Sequence, residues 1–303
     1  MRELTPTAAA MSGGQARLPR DSAALGAMAG AVMAIAWSPI LIRFAGLDPA
    51  ASAFWRLVFA LPVLILWSRA ERQPGRVSGL ARPGLLAALL AGVAFAFDLV
   101  CYHAALPLTS VANASFISNL APVVSVAAGF VLLGDRLRPA ALGALLVAVI
   151  GIVVTSSAYR SGFAMRLGDV FAVGSALTYA FYLVALRVAR RTRGAADVTL
   201  VSTVMAGIVL LGLSAAGGDG RFWPQGWSNW AAVVALGLVC QVLGQGLSAV
   251  GIGRLPASVV AVILLSHPIL SAALAFLIFG EAMNLDQIVG GALILGAVVL
   301  SQR

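Results

Sequence analysis

The chain repeats itself, and the repeated unit holds an odd number of apolar stretches. Asn119-Leu120-Ala121-Pro122-Val123-Val124-Ser125, running on to Phe130 and Gly134-Asp135, aligns with Leu265-Ser266-His267-Pro268-Ile269-Leu270-Ser271, Phe276 and Gly280-Glu281. Every one of those pairs is 146 residues apart. Weaker matches keep the same order: Leu25-Gly26 with Leu167-Gly168, Trp37 with Tyr179, and Gly143-Ala144-Leu145 with Gly291-Ala292-Leu293. A unit that crosses a bilayer five times starts its second copy on the opposite side. The two halves are therefore expected to be inverted relative to each other, the architecture of secondary transporters.

The bilayer follows from composition. A chain of 303 residues that is 61% hydrophobic and 10% charged has more apolar surface than one soluble core can bury. A crossing needs about 20 mainly apolar residues, and ten such stretches are present, at 24–43, 50–68, 84–105, 110–133, 140–156, 168–188, 197–216, 230–250, 257–279 and 285–301. None alternates as a barrel strand would, so the expected fold is an all-α integral membrane protein of ten transmembrane helices built as two inverted five-helix repeats. The expected divisions are a polar, flexible cytoplasmic tail over 1–22, a first repeat over 23–157 and a second over 158–303.

Arginine sets the direction. With the amino terminus inside, 15 of the 20 arginines fall on the cytoplasmic side, whereas Arg43, Arg160, Arg166 and Arg221 fall outside and Arg56 lies within a stretch. The positive-inside rule then puts both termini in the cytoplasm, as an even number of crossings requires.

Several function classes drop out. The positive charge is spread between apolar stretches, as topology determinants are, which argues against nucleic acid. There is no lysine, so no GxxxxGK[ST] phosphate loop exists and ATP hydrolysis by that machinery is excluded. His103 and His267 lack ligand spacing, and Cys101 and Cys240 lie inside apolar stretches, so neither a metal, a disulfide nor another cofactor is expected. No nucleophile and base are paired as an enzyme would need.

Polar side chains in hydrocarbon are costly and turn toward the bundle interior or a wet cavity. Phe95, Asp98 and Tyr102 are spaced i, i+3, i+7 and share a face; Gln241, Gln245 and Ser248 are spaced i, i+4, i+7. Ser115, Phe116 and Asn119 come from the fourth helix, Tyr179 and Tyr182 from the sixth, His267 from the ninth and Trp37 from the first. These residues are the expected cavity lining. The fifth and tenth helices carry no polar side chain from Ala140 to Val154 and from Ile288 to Leu300, and should face lipid or a second copy.

Two charges are expected inside the hydrocarbon. Asp98 either attracts a substrate ammonium group or carries a proton, and Arg56 either meets a substrate carboxylate or neutralises Asp98. Pro122 and Pro268 occupy matching places in the fourth and ninth helices, where a missing N–H loosens the backbone, and paired bending there would gate the path. His267 either titrates, binds substrate or bonds a neighbouring helix as a neutral imidazole.

Trp37 followed by Arg43, the Arg56-Leu57-Val58-Phe59-Ala60 segment and the two proline-to-acid blocks ending at Asp135 and Glu281 carry a family resemblance. From about Ala24 to Ser301 the chain resembles the drug/metabolite transporter superfamily, specifically its ten-helix EamA-type exporters, and is most similar to the YddG-type aromatic amino-acid exporters. That resemblance implies a bacterial inner membrane and export of amino acids or related metabolites by alternating access without ATP. The aromatic lining suits aromatic or large neutral amino acids. A drug or sugar-nucleotide carrier of the same superfamily is the rival within transporters, and a non-transporting membrane component is the rival outside them. The sequence leaves open proton coupling and a homodimer.

Overall fold

Backbone groups in hydrocarbon find partners only within their own segment, and the apolar stretches accordingly form helices. The computed structural model describes residues 21–71, 82–121, 124–125, 128, 139–155, 166–217, 221–255, 260, 263–264 and 266–301. In chain order the helices are α1 (Ser22–Ala36), α2 (Ser38–Ala45), α3 (Pro49–Glu71), α4 (Arg82–Ala105), α5 (Val111–Ser118), α6 (Pro139–Thr155), α7 (Leu167–Arg190), α8 (Ala195–Gly217), α9 (Trp227–Ala235), a π-helical segment (Leu236–Gln245), α10 (Gly246–Ile252), α11 (Ser266–Phe279) and α12 (Leu285–Ser301). Among the described residues six stretches are long and apolar enough to cross a membrane: Ser22–Ala45, Pro49–Glu71, Gly84–Ala105, Leu167–Arg190, Ala195–Ala216 and Trp227–Ile252. Pro122, Asp135, Arg136, Arg138, Arg160 and the tail over 1–20 lie outside the described residues.

Helix starts are set by local caps. Asp21 accepts from the Ala24 amide at 3.0 Å, so the last residues of the expected tail begin α1. Ser110 accepts from Asn113 N at 3.1 Å to start α5. Asn284 and Gln287 bond reciprocally, each side chain taking the other's amide, and so open α12 with a capping box.

Contacts between helix ends define two ends of the bundle. At the end holding the start of α1, Glu71 accepts from the amides of Ala195 and Ala196, and Arg190 Nε donates to the Ala249 carbonyl. At the opposite end, Asn229 donates to the carbonyls of Phe44 and Ala45, and Gln287 donates to Ser110 and Asn113. α1 starts at the first end, whereas α7 starts at the second, where Asp169 accepts from Thr109 at 2.7 Å. The two five-helix units thus run in opposite senses.

α4 and α7 form the centre, meeting through Ala88, Ala91, Ala96 and Leu99 on one side and Ala180, Leu183 and Leu186 on the other. Small side chains let these helices approach closely where apolar lipid supplies no hydrophobic drive for association. α6 and α12 pack against each other, Gly151 opposite Ile294, and leave Leu146, Val149, Ile150, Ile288 and Val289 on their outer faces. The apolar fifth and tenth helices therefore pair with each other and turn only their outward sides to the surroundings.

Candidate functional site

Three helices lose regularity at one level of the bundle. The first breaks at Trp37: Pro39 has no N–H for the Ile35 carbonyl, which takes the Trp37 amide instead, and α2 begins anew at Ser38. The fourth breaks at Asn119, whose amide folds back on Ile117 and Ser115 to end α5. The eighth runs as a π-helix from Leu236 to Gln245, a rare form that concentrates at functional sites. Discontinuous helices near mid-membrane are where transporters place their binding groups.

A cavity lies at that level. Its walls include Val32, Ile35 and Ser38 from the first helix, Arg56 from α3, and Phe95, Asp98, Leu99 and Tyr102 from α4. Ser118, Asn119 and Ala121 face it from the fourth helix, Ser175 and Tyr179 from α7, Gln245 from the π segment, and Leu264 and His267 from the ninth. The i, i+3, i+7 face of α4 is all present.

Arg56 and Asp98 both line the cavity and are 3% and 7% exposed, yet among the described residues no ion pair joins them. Neutral groups hold each one. Arg56 Nε donates to Gln241 Oε1 at 3.2 Å and Nη1 to Ser38 Oγ at 3.3 Å, with the guanidinium 5.9 Å from the Phe95 ring centre. Asp98 Oδ1 accepts from Ser175 Oγ at 2.6 Å. Among the described residues, Arg56 Nη2 and Asp98 Oδ2 make no hydrogen bond. The side-chain nitrogen of Asn119, Nδ2, is also buried without a partner among the described residues. A charge in low dielectric without a counter-charge is poised to attract one.

The aromatic groups form a stack. Tyr182 lies between Phe95 and Tyr179, with ring centres 4.8 Å and 5.4 Å away, and is itself buried behind the wall. His267 Nε2 is 3.4 Å from Ser271 Oγ. Pro268 lies buried in the first turn of α11.

The remaining expected lining residues stand elsewhere. Trp37 is 40% exposed outside the cavity because the break beside it resets the helix phase. Ser115 is fully buried and hydrogen-bonded to the Tyr102 hydroxyl at 3.2 Å. Phe116 packs over Gly291 of α12. Gln241 sits behind Arg56. Ser248 is buried, its hydroxyl without a partner among the described residues, because i+5 bonding widens the preceding turns and the 3.6-residue phase is lost. Sequence reasoning missed Ser38 and Thr203; a polar residue in an apolar helix is the signal that marks both.

Toward Arg43 the helices carry a dense apolar cluster. Ile40, Ile42, Leu106, Val111, Ile117, Leu236 and neighbouring side chains form an apolar plug. Over it, Arg43 is ion-paired with Glu281 and donates to the Leu106 and Thr109 carbonyls, while Glu281 Oε2 accepts from the Val111 amide at 3.1 Å. Gly280 makes this possible. Its φ of 67° ends α11 in the left-handed region, and the turn returns Glu281 over the helix ends.

Comparison with known proteins gives this geometry a context. The model of the EamA-like transporter family matches residues 22–157 and again 166–302. An uncharacterized transporter of Archaeoglobus fulgidus is 27% identical, covering 87% of this chain and 90% of that one. The pseudopaline exporter CntI of Pseudomonas aeruginosa is 27% identical over 77% of this chain and 79% of its own. The aromatic amino acid exporter YddG of Ancylobacter novellus is 33% identical over 45% of this chain and 48% of its own. A solved crystal structure superposes with a TM-score of 0.65, covering 92% of this chain and 96% of that chain at 23% identity, which is a likeness of fold.

Proposed function

Because this chain belongs to the EamA-like transporter family, we propose that it exports amino acids, aromatic or large neutral ones first, and related zwitterionic metabolites by alternating access without ATP. The observation that carries this reading is the separated pair in the cavity: a carboxylate, Asp98, and a guanidinium, Arg56, each held by neutral partners. A zwitterion supplies the missing counter-charge to both, its ammonium group at Asp98 and its carboxylate at Arg56. Phe95 and Tyr179 add flat apolar wall for a sizeable side chain. The names of two relatives, one an exporter of pseudopaline and one of aromatic amino acids, favour small organic cargo. A sugar nucleotide is disfavoured, since its phosphates call for several inward basic groups and Arg56 is the one arginine among the described lining residues.

The direction rests on arginine bias. It assigns the end holding Asp21, Glu71 and Arg254 to the cytoplasm of a bacterial inner membrane, with both termini there. The cavity is then closed toward the outside by the Arg43 and Glu281 pair. Release requires that end to part while the cytoplasmic end closes. Purified protein in liposomes preloaded with labelled phenylalanine, leucine, aspartate and a sugar nucleotide, with and without an imposed proton gradient, tests the reading. Efflux of phenylalanine and leucine that Asp98→Asn or Arg56→Gln abolishes is expected; equal efflux from the double variant would overturn it. The gradient decides whether protons are coupled.

A further inference from the structure

Gln241 can bond Arg56 in only one orientation. A guanidinium donates and never accepts, so the Gln241 carbonyl oxygen must face Arg56 and its NH2 must face away. That NH2 donates to Thr203 Oγ1 at 2.9 Å. Thr203 lies on α8, which contributes no residue to the cavity wall, and it is fully buried. The hydroxyl is therefore the acceptor that keeps the amide from turning over. The π-helical register brings Gln241 into this place, and Gly237 lets that segment touch α3, since a Cβ there would lie 2.8 Å from the Arg56 carbonyl oxygen.

We infer that Thr203 and Gln241 are positioning residues that select for a substrate carboxylate, by binding Arg56 through uncharged groups and leaving its positive charge and its Nη2 edge for the ligand. This rests on the zwitterion reading above. The relay's neutrality is the point. A carboxylate at position 241 would hold Arg56 at least as firmly and would consume the charge the substrate needs. Behind the wall, an amide orients the guanidinium without competing for it.

Gln241→Glu separates this role from simple support. The substitution keeps an acceptor for Arg56 Nε, and the Thr203 hydroxyl can rotate to donate to the second oxygen. Half-saturation is measured in liposomes for phenylalanine and for phenethylamine, which lacks the carboxylate, with thermal unfolding of each variant in detergent. The expected result for Gln241→Glu is an undiminished unfolding midpoint and a rise of roughly ten- to hundredfold in the phenylalanine-to-phenethylamine half-saturation ratio. Thr203→Val should raise the ratio in the same direction, and Thr203→Ser should restore it. Should Gln241→Glu fail to fold, the Val and Ser pair decides. An unchanged ratio in Gln241→Glu or Thr203→Val, while Arg56→Gln abolishes phenylalanine efflux, overturns the relay and leaves the zwitterion reading standing. Undiminished phenylalanine efflux from Arg56→Gln overturns both.

Discussion

Arg43, in the last turn of α2, is ion-paired with Glu281, the residue that follows the left-handed glycine ending α11. The pair ties the first helix of one repeat to the ninth of the other across the apolar plug. Glu281 also accepts from the first amide of α5, where the helix dipole favours a negative charge. Three helices are thus held by one carboxylate at the end that the proposed export cycle opens for release.

Reversing either charge should loosen that end. Arg43→Glu and Glu281→Arg singly place like charges together, and each should shift the population toward the state open at this end, by roughly three- to tenfold for a partly exposed pair. The double variant restores attraction but not the bond to Val111, so it should recover in part. Labelling by an impermeant thiol reagent of a cysteine placed at Ile42, in a background without Cys101 and Cys240, measures the shift. Equal labelling in all variants would remove Arg43 and Glu281 from the gate.

Gly237→Ala should damage the contact between the π segment and α3. The added methyl would lie 2.8 Å from both the Arg56 carbonyl oxygen and Phe59 Cβ, atoms that cannot swing aside as a flexible side-chain tip would. Overpacking of this kind costs about 1–3 kcal/mol. A lowered unfolding midpoint in detergent, with a weaker response to phenylalanine, is expected; Gly26→Ala, which meets nothing within 4 Å, is the control.

The duplication, the helical class and the α4 face were legible because they depend on composition and on a regular 3.6-residue phase. Phe95, Asp98 and Tyr102 share that phase and meet at the cavity. Trp37 and Ser248 depart from it, for the chain breaks its phase beside one and widens its turns before the other. Pro39 announces the first break. Nothing in Leu236–Gln245 announces a π-helix, because i+5 bonding there answers to packing against α3 rather than to local preference. The Gln241 relay needed two helices to be placed side by side, and no periodicity reports such a distance.

The two ends should lie on opposite sides of the membrane. A cysteine at Trp227, which is 91% exposed, and one at Arg254 belong to different ends of the bundle. In intact cells an impermeant maleimide should label the first and spare the second until the membrane is opened. Labelling of both from outside would contradict the orientation drawn from arginine.

Alternating access to one cavity is most directly tested at Ser118, which lines it and whose hydroxyl donates to the Ala172 carbonyl at 3.4 Å. Ser118→Cys, with Cys101 and Cys240 replaced by alanine, is reconstituted in a single orientation and exposed to an impermeant thiol reagent from one side or the other. Alternating access predicts reaction from each side, slowed from both by phenylalanine. Reaction from one side alone, in protein that still transports, would contradict it.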